Sequence, residues 1–257
     1  MIEPRQQIKL RLRGQNGGVV EVIPSLVVAG LDFGFSDPLA IEVGAKIGSL
    51  WVNFYEVYKT RLGIGEVLKE CVRVTRMFNL ERIWADSEDP KMIEYLQSHN
   101  VPVLPNQIKS LDYGIHTLYG LMKQTVTHPV LGTGPRWRVD KAACPNLVRE
   151  MGLYANVVVR GEVRTGKPAD RHNHALDTVR YYVTGEGELP PELYTPEQKQ
   201  RHHGVYVERG VWYDDPVGSQ LAAARRHNQE EIAPWWDEKM QNDLDLDEII
   251  GIDYEFD

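Results

Sequence analysis

A chain of 257 residues, 42% hydrophobic and 26% charged, with a net charge of −8, has the size and composition of a globular protein with one good core plus an appendage. No apolar run approaches the roughly 20 residues a membrane helix needs, and residues 1–14 are polar and basic, unlike a secretory leader. The two cysteines, Cys71 and Cys144, stand far apart and outside any C-x-x-C pair, which argues against a zinc knuckle or a disulfide framework and fits a reducing, cytoplasmic setting.

Taken in chain order, residues 8–13 alternate apolar and basic, residues 14–18 read as a turn, and residues 19–23 return as a second strand, predicting a leading hairpin. Residues 25–31 (SLVVAGL) form a short apolar run that ends at Asp32, the pattern of a buried central strand. Two more strands follow at 39–47 and 50–58, joined at Gly48-Ser49, so the first half reads as an antiparallel meander. The rhythm then turns helical over 64–78, with apolar residues at 64, 67, 68, 71, 72, 74, 77 and 78. A strand at 82–85 ends at Asp86, and a helix at 90–98 opens on a proline. A strand at 101–104, a helix at 111–124, a short strand at 137–139 and helices at 141–154 and 170–183 complete the prediction. Strands first, then strands alternating with helices, predict an α/β domain with a mixed sheet.

The charge is unevenly placed. Residues 185–257 hold 18 acidic and 6 basic residues, a net of −12, while residues 1–184 hold 19 acidic and 23 basic, a net of +4. The body is therefore mildly basic and able to approach a polyanion, which the total charge conceals. The acidic tail also contains Trp212, Tyr213, Trp235 and Trp236, too many aromatics for pure disorder, so it is expected to pack in patches on the body or on a partner.

Three carboxylates stand out by position. Asp32 and Asp86 each end a buried strand, where α/β sheets carry their ligands. Asp177 lies in a helical segment in which Asp170, Asn173, His174 and Asp177 share one face. Converging acids suit hard divalent cations, which take oxygen ligands and activate water for phosphodiester hydrolysis. An aspartate after a strand also serves as a turn residue or helix cap, and Asp86 has a helix just downstream.

The strings Asp32-Phe33-Gly34, Asp37-Pro38, Trp84-Ala85-Asp86, Lys109 and His174-Ala175-Leu176-Asp177-Thr178-Val179-Arg180-Tyr181 together resemble the C-terminal nuclease domain of phage large terminases, the DNA-packaging enzymes of tailed bacteriophages. The resemblance covers about residues 26–184, and its most specific part is the last string, which in the family usually reads D-H-x-x-D-A-x-R-Y. It implies a ribonuclease H-like fold, an endonuclease acting on concatemeric double-stranded DNA in the host cytoplasm, and Mg²⁺ or Mn²⁺ as a pair of ions. It implies that Asp32, Asp86 and Asp177 bind the metal, with Asp32 bridging both ions. It also implies an ATPase motor, fused or separate, with a small terminase subunit and a portal as partners. The sequence departs from the pattern at Asn173, where the family often has a further Asp, and in having only about 25 residues before the first core strand. The chain is thus expected to be an isolated nuclease domain or the product of a split gene, divided into an N-terminal hairpin or extension (1–24), a ribonuclease H-like nuclease domain (25–184) and an acidic tail (185–257).

Other residues have narrower readings. Gly161-Glu-Val-Arg-Thr-Gly166-Lys167-Pro168 almost spells a phosphate-binding loop, but proline stands where Ser or Thr must reach Mg²⁺. This segment reads instead as a basic hairpin or loop that brings Arg160, Arg164 and Lys167 to DNA. Lys109 matches a family lysine and reads as a phosphate contact. His172 and His174 lie two apart on a helix and cannot share one zinc; His174 reads as a group that orients water or a ligand near Asp177. Glu88 and Asp89 read as the start of the next helix, and Arg180 as structural or phosphate-facing. Two other readings stay open: a Holliday-junction resolvase or transposase-type enzyme, and a non-catalytic packaging assembly module.

Overall fold

A computed structural model describes residues 8–13, 18–153, 156–159, 162–168 and 173–190. The chain separates into two compact units. Among the described residues, one holds the body and the other holds the hairpin within residues 155–169.

The body opens with β1 (Leu10–Arg13) and β2 (Val19–Val22), paired antiparallel. Leu10 and Leu12 face inward and are buried in the main core, so this hairpin is anchored to the body by apolar contact. β3 (Leu26–Asp32), β4 (Leu39–Ile47) and β5 (Leu50–Lys59) form the expected antiparallel meander, with a positive φ at Gly48 closing the turn. α1 (Ile64–Met77) follows, and the Glu66 carboxylate accepts the Gly63 N–H at 2.8 Å at its start. β6 (Arg82–Ala85) and β7 (Val103–Pro105) add to the sheet in parallel beside β3, with α2 (Pro90–Ser98) between them. α3 (Leu111–Lys123) leads into a small antiparallel pair, β8 (Thr125–His128) and β9 (Gly132–Pro135), and then into β10 (Trp137–Val139), parallel to β5. The six-stranded sheet runs β10-β5-β4-β3-β6-β7. α4 (Pro145–Leu153) and α5 (His174–Gly185) complete the body. The separate hairpin pairs β11 (Asn156–Val159) with β12 (Glu162–Pro168).

One face of the sheet, through Ala29, Leu31, Ile41, Val43, Val57 and Ile83, packs on Val67, Cys71 and Val74 of α1 and on Ile93 and Leu96 of α2. The other face receives α5, which lies against β3, β4 and β6. The approach is so close that a Cβ on Gly30 would collide with the Thr178 backbone carbonyl, and one on Gly44 would come 2.7 Å from Tyr182 Cζ. The far end of α5 is held by two carboxylates. Glu186 accepts two bonds from Arg82, at 2.8 and 3.0 Å, and one from the Trp84 indole at 2.7 Å. Glu188 Oε1 accepts from Trp51 at 2.9 Å, Lys46 at 3.0 Å and Arg136 at 2.9 Å. The chain thus stays tied to the sheet through Glu188.

Several elements differ from the prediction. The helix expected from residue 141 begins at Pro145, because Asp140 Oδ1 accepts the Ala142 and Ala143 N–H groups and turns the chain before proline starts the helix. The helix expected from residue 170 begins at His174; residues 170–172 lie outside the described residues. The β8–β9 pair was not foreseen, since Gly132–Pro135, built of glycine, threonine and proline, carries no strand pattern. The near-match to a phosphate loop is strand over Glu162–Pro168 among the described residues. Among the described residues no helix is long and apolar enough to cross a membrane.

Candidate functional site

β3 and β6 run parallel and adjacent, with Leu31 opposite Ala85. The next residue on each chain is an aspartate, so Asp32 and Asp86 leave the sheet side by side at the carboxyl ends of two parallel strands. α5 brings the third acid. The Thr178 carbonyl presses against Gly30, two residues before Asp32, and Asp177 immediately precedes Thr178. The acids feel one another electrostatically: burial lifts the Asp32 carboxyl to about 6, with repulsion from Asp177 and then Asp86 adding to the rise. Burial likewise raises Asp177, and Asp86 raises it further against the pull of Arg180.

Each acid is held by neighbours. His174 Nδ1 lies 2.9 Å from Asp32 Oδ2, and since a carboxylate only accepts, that ring nitrogen carries the proton. The bond to Asp32 raises the imidazole, and burial opposes it. The other ring nitrogen is 4.0 Å from Asp37 Oδ1, an exposed carboxylate in the loop after β3. Asp86 Oδ2 accepts the Tyr181 hydroxyl at 3.0 Å, and its Oδ1 accepts the Glu88 N–H at 3.0 Å. Asp177 Oδ1 receives Arg180 through Nε at 3.1 Å and Nη2 at 3.0 Å, and its Oδ2 receives the Asn173 amide at 3.1 Å.

Among the described residues no three His, Cys, Asp or Glu groups stand close enough, as placed, to form a ready coordination set. The chemistry of the donors nevertheless suits a hard divalent cation. All three are carboxylates with acceptor sites beyond those in use, and their mutual repulsion is what a cation relieves. One buried acceptor beside them, Asn173 Oδ1, has no hydrogen-bond partner.

The remaining sequence candidates divide. Asp89 caps α2, accepting the Met92 N–H at 3.1 Å, as its position before a proline-led helix suggested. Arg180 takes the structural reading, being nearly buried and paired with Asp177. Lys109 is exposed in the loop between β7 and α3 and touches none of the three acids among the described contacts. Arg164 and Lys167 lie on β12, while Arg160, Asp170 and His172 fall outside the described residues. Sequence reasoning passed over Tyr181 and Glu150. Tyr181 was findable, since it sits four residues after Asp177 on the same helical face. Glu150 reaches α5 from another helix, and no local spacing signals that.

No family model matches this chain, and no curated protein matches it. Solved structures do. The chain is similar to the nuclease domain of the g2p large terminase of bacteriophage SPP1, determined with bound Mn, at 22% identity and a TM-score of 0.50, over 63% of this chain and 87% of that one. It is similar to the large terminase of a thermophilic bacteriophage, determined with ATP-gamma-S, at 17% identity and a TM-score of 0.53, over 64% of this chain but 41% of that one. It is also similar to the P22 large terminase nuclease domain, at 15% identity and a TM-score of 0.51, over 64% of this chain and 83% of that one. What is shared at these identities is the fold: a ribonuclease H-like mixed sheet flanked by helices, as found in large terminase nuclease domains.

Proposed function

We propose that this chain is a metal-dependent endonuclease that cuts double-stranded DNA during the packaging of phage genomes. One observation carries the reading: Asp32 and Asp86 leave neighbouring parallel strands at the same end, and α5 lays Asp177 over them. The shared fold supports it, because the SPP1 and P22 structures that share the fold are nuclease domains of large terminases.

In this reading Asp32, Asp86 and Asp177 would hold two divalent ions, Mg²⁺ or Mn²⁺. Ions bound there supply an activated water and a stabilised leaving oxygen for phosphodiester hydrolysis. The chain's own residues set the stage. His174 holds the Asp32 carboxylate through one oxygen, and Tyr181 does the same for Asp86. Arg180 and Asn173 fix Asp177 against rotation. Lys109, Arg160, Arg164 and Lys167 take DNA phosphates, so affinity falls steeply as salt rises. An ATPase motor, fused or separate, a small terminase subunit and a portal are the partners, and the host cytoplasm is the place of action.

The test is cleavage of supercoiled plasmid with Mg²⁺ or Mn²⁺ by the wild type beside Asp32→Asn, Asp86→Asn and Asp177→Asn. Cutting by the wild type alone is the expected result. Equal cutting by all four proteins places the activity elsewhere. No cutting by any of them, with Mn²⁺ present, favours a packaging assembly module over an enzyme.

A further inference from the structure

α5 carries His174 and Asp177 in its first turn. The leading N–H groups of a helix have no partner within it and need an acceptor from outside. Asn173 occupies the cap position, but its side chain makes no cap bond and its amide donates to Asp177 instead. The acceptor comes from α4. Glu150 Oε2 accepts the Ala175 N–H at 2.7 Å and the Leu176 N–H at 3.2 Å. Its other oxygen accepts the Tyr58 hydroxyl at 2.7 Å.

Glu150 is fully buried. Three donors meet its two oxygens, and these bonds favour the carboxylate against the burial that raises its pKa. Its negative charge lies at the positive end of the α5 dipole. α4 is fixed in the same manner. Glu56 on β5 accepts the Asn146 N–H at 3.1 Å, the Leu147 N–H at 2.7 Å and the Asn146 amide at 2.6 Å. Glu56 and Tyr58 are two residues apart on β5 and so point to the same face. A chain of carboxylate caps therefore runs from β5 to α4 and from α4 to the first turn of α5. None of these residues touches Asp32, Asp86 or Asp177 among the described contacts.

We propose that Glu150 is a positioning residue of the nuclease site: its grip on the Ala175 and Leu176 N–H groups sets the register of α5 that places His174 on Asp32 and Asp177 over the sheet. The proposal rests on the nuclease reading of that site. A group that acts only as scaffold would affect melting and leave the rate per folded molecule alone. A positioning group affects the rate at saturating DNA and metal and leaves DNA affinity alone, because small misplacements of reacting groups are costly.

The experiment is single-turnover cleavage of duplex DNA at saturating protein and Mn²⁺, with DNA Kd and melting temperature measured alongside, for the wild type, Glu150→Gln and Tyr58→Phe. Glu150→Gln keeps one acceptor oxygen and loses the charge; Tyr58→Phe removes only the hydroxyl that steadies Glu150. The expected result is a rate lower by about tenfold or more for Glu150→Gln and by roughly threefold for Tyr58→Phe, with DNA Kd unchanged in both. Wild-type rates in both variants, whatever their melting temperatures, overturn the proposal while the nuclease reading stands. If Glu150→Gln does not fold, Tyr58→Phe decides: a reduced rate with unchanged Kd supports the proposal, and a wild-type rate overturns it. A wild type that cuts nothing overturns the nuclease reading and this proposal together.

Discussion

Asp32 is largely buried, repelled by two other carboxylates and held by one imidazole. Its folded value of about 6 lies above its ordinary 3.8, so the unfolded chain gives up this proton first as pH rises. Stability therefore falls with pH across the window from about 4 to about 6 and is level above it, at a cost on the order of 3 kcal/mol at neutral pH. Asp32→Asn removes that cost. The metal-free variant is predicted to melt higher than the wild type at pH 7.5 and equally at pH 3.5, while losing cleavage. A variant that melts lower at both pH values contradicts the prediction. At this scale the placement of the three aspartates was legible, because Asp32 and Asp86 end apolar strand runs and Asp177 lies in a helical segment. Spacing puts Tyr181 on the helical face of Asp177, but its bond to Asp86 and that of Glu150 to the α5 backbone arise only through the tertiary fold.

Elements fixed by strong periodicity came out as expected. β6 over Arg82–Ala85 and α2 over Pro90–Ser98 have the predicted limits, because a continuous apolar run and a proline-led helix each define their own ends. α4 was predicted too long, because hydrophobic spacing does not register the turn that Asp140 imposes on Ala142 and Ala143. The packing of α5 on the sheet was also hidden in the sequence: Gly30 and Gly44 read only as small residues in strands, yet each admits an α5 atom where a Cβ would stand. Gly30→Ala sets a methyl group against the Thr178 backbone carbonyl, which neither β3 nor α5 can easily move. Its predicted cost is about 3 kcal/mol, near the upper end for overpacking, with cleavage lost alongside stability. Chemical denaturation checks the first part, and an unchanged midpoint would mean that α5 shifts freely on the sheet.

For the whole molecule, composition had separated a mildly basic body from an acidic tail, and the mixed α/β sheet followed from the order of the elements. Strand order did not follow from sequence, because β10 joins β5 across some eighty residues. Nor did the ties just after α5: Glu186 and Glu188, acidic by composition, bind Arg82, Trp84, Lys46, Trp51 and Arg136. A deletion that tests the tail should therefore begin after Pro190 and leave both carboxylates in place. Removing residues 191–257 takes away 16 acidic and 6 basic residues. At low salt it is predicted to tighten DNA binding about tenfold, an advantage that fades as salt rises. Unchanged affinity at low salt would assign the tail to docking on a partner.

If Asp32, Asp86 and Asp177 act together as one metal-holding group, calorimetric titration of Mn²⁺ into the DNA-free protein at pH 7.5 will register it. The expected result is saturable Mn²⁺ binding by the wild type, abolished in Asp32→Asn and weakened at least about tenfold in Asp86→Asn and Asp177→Asn, through loss of a charged oxygen ligand. Wild-type binding that survives all three substitutions, or no binding by the wild type at millimolar Mn²⁺, would contradict it.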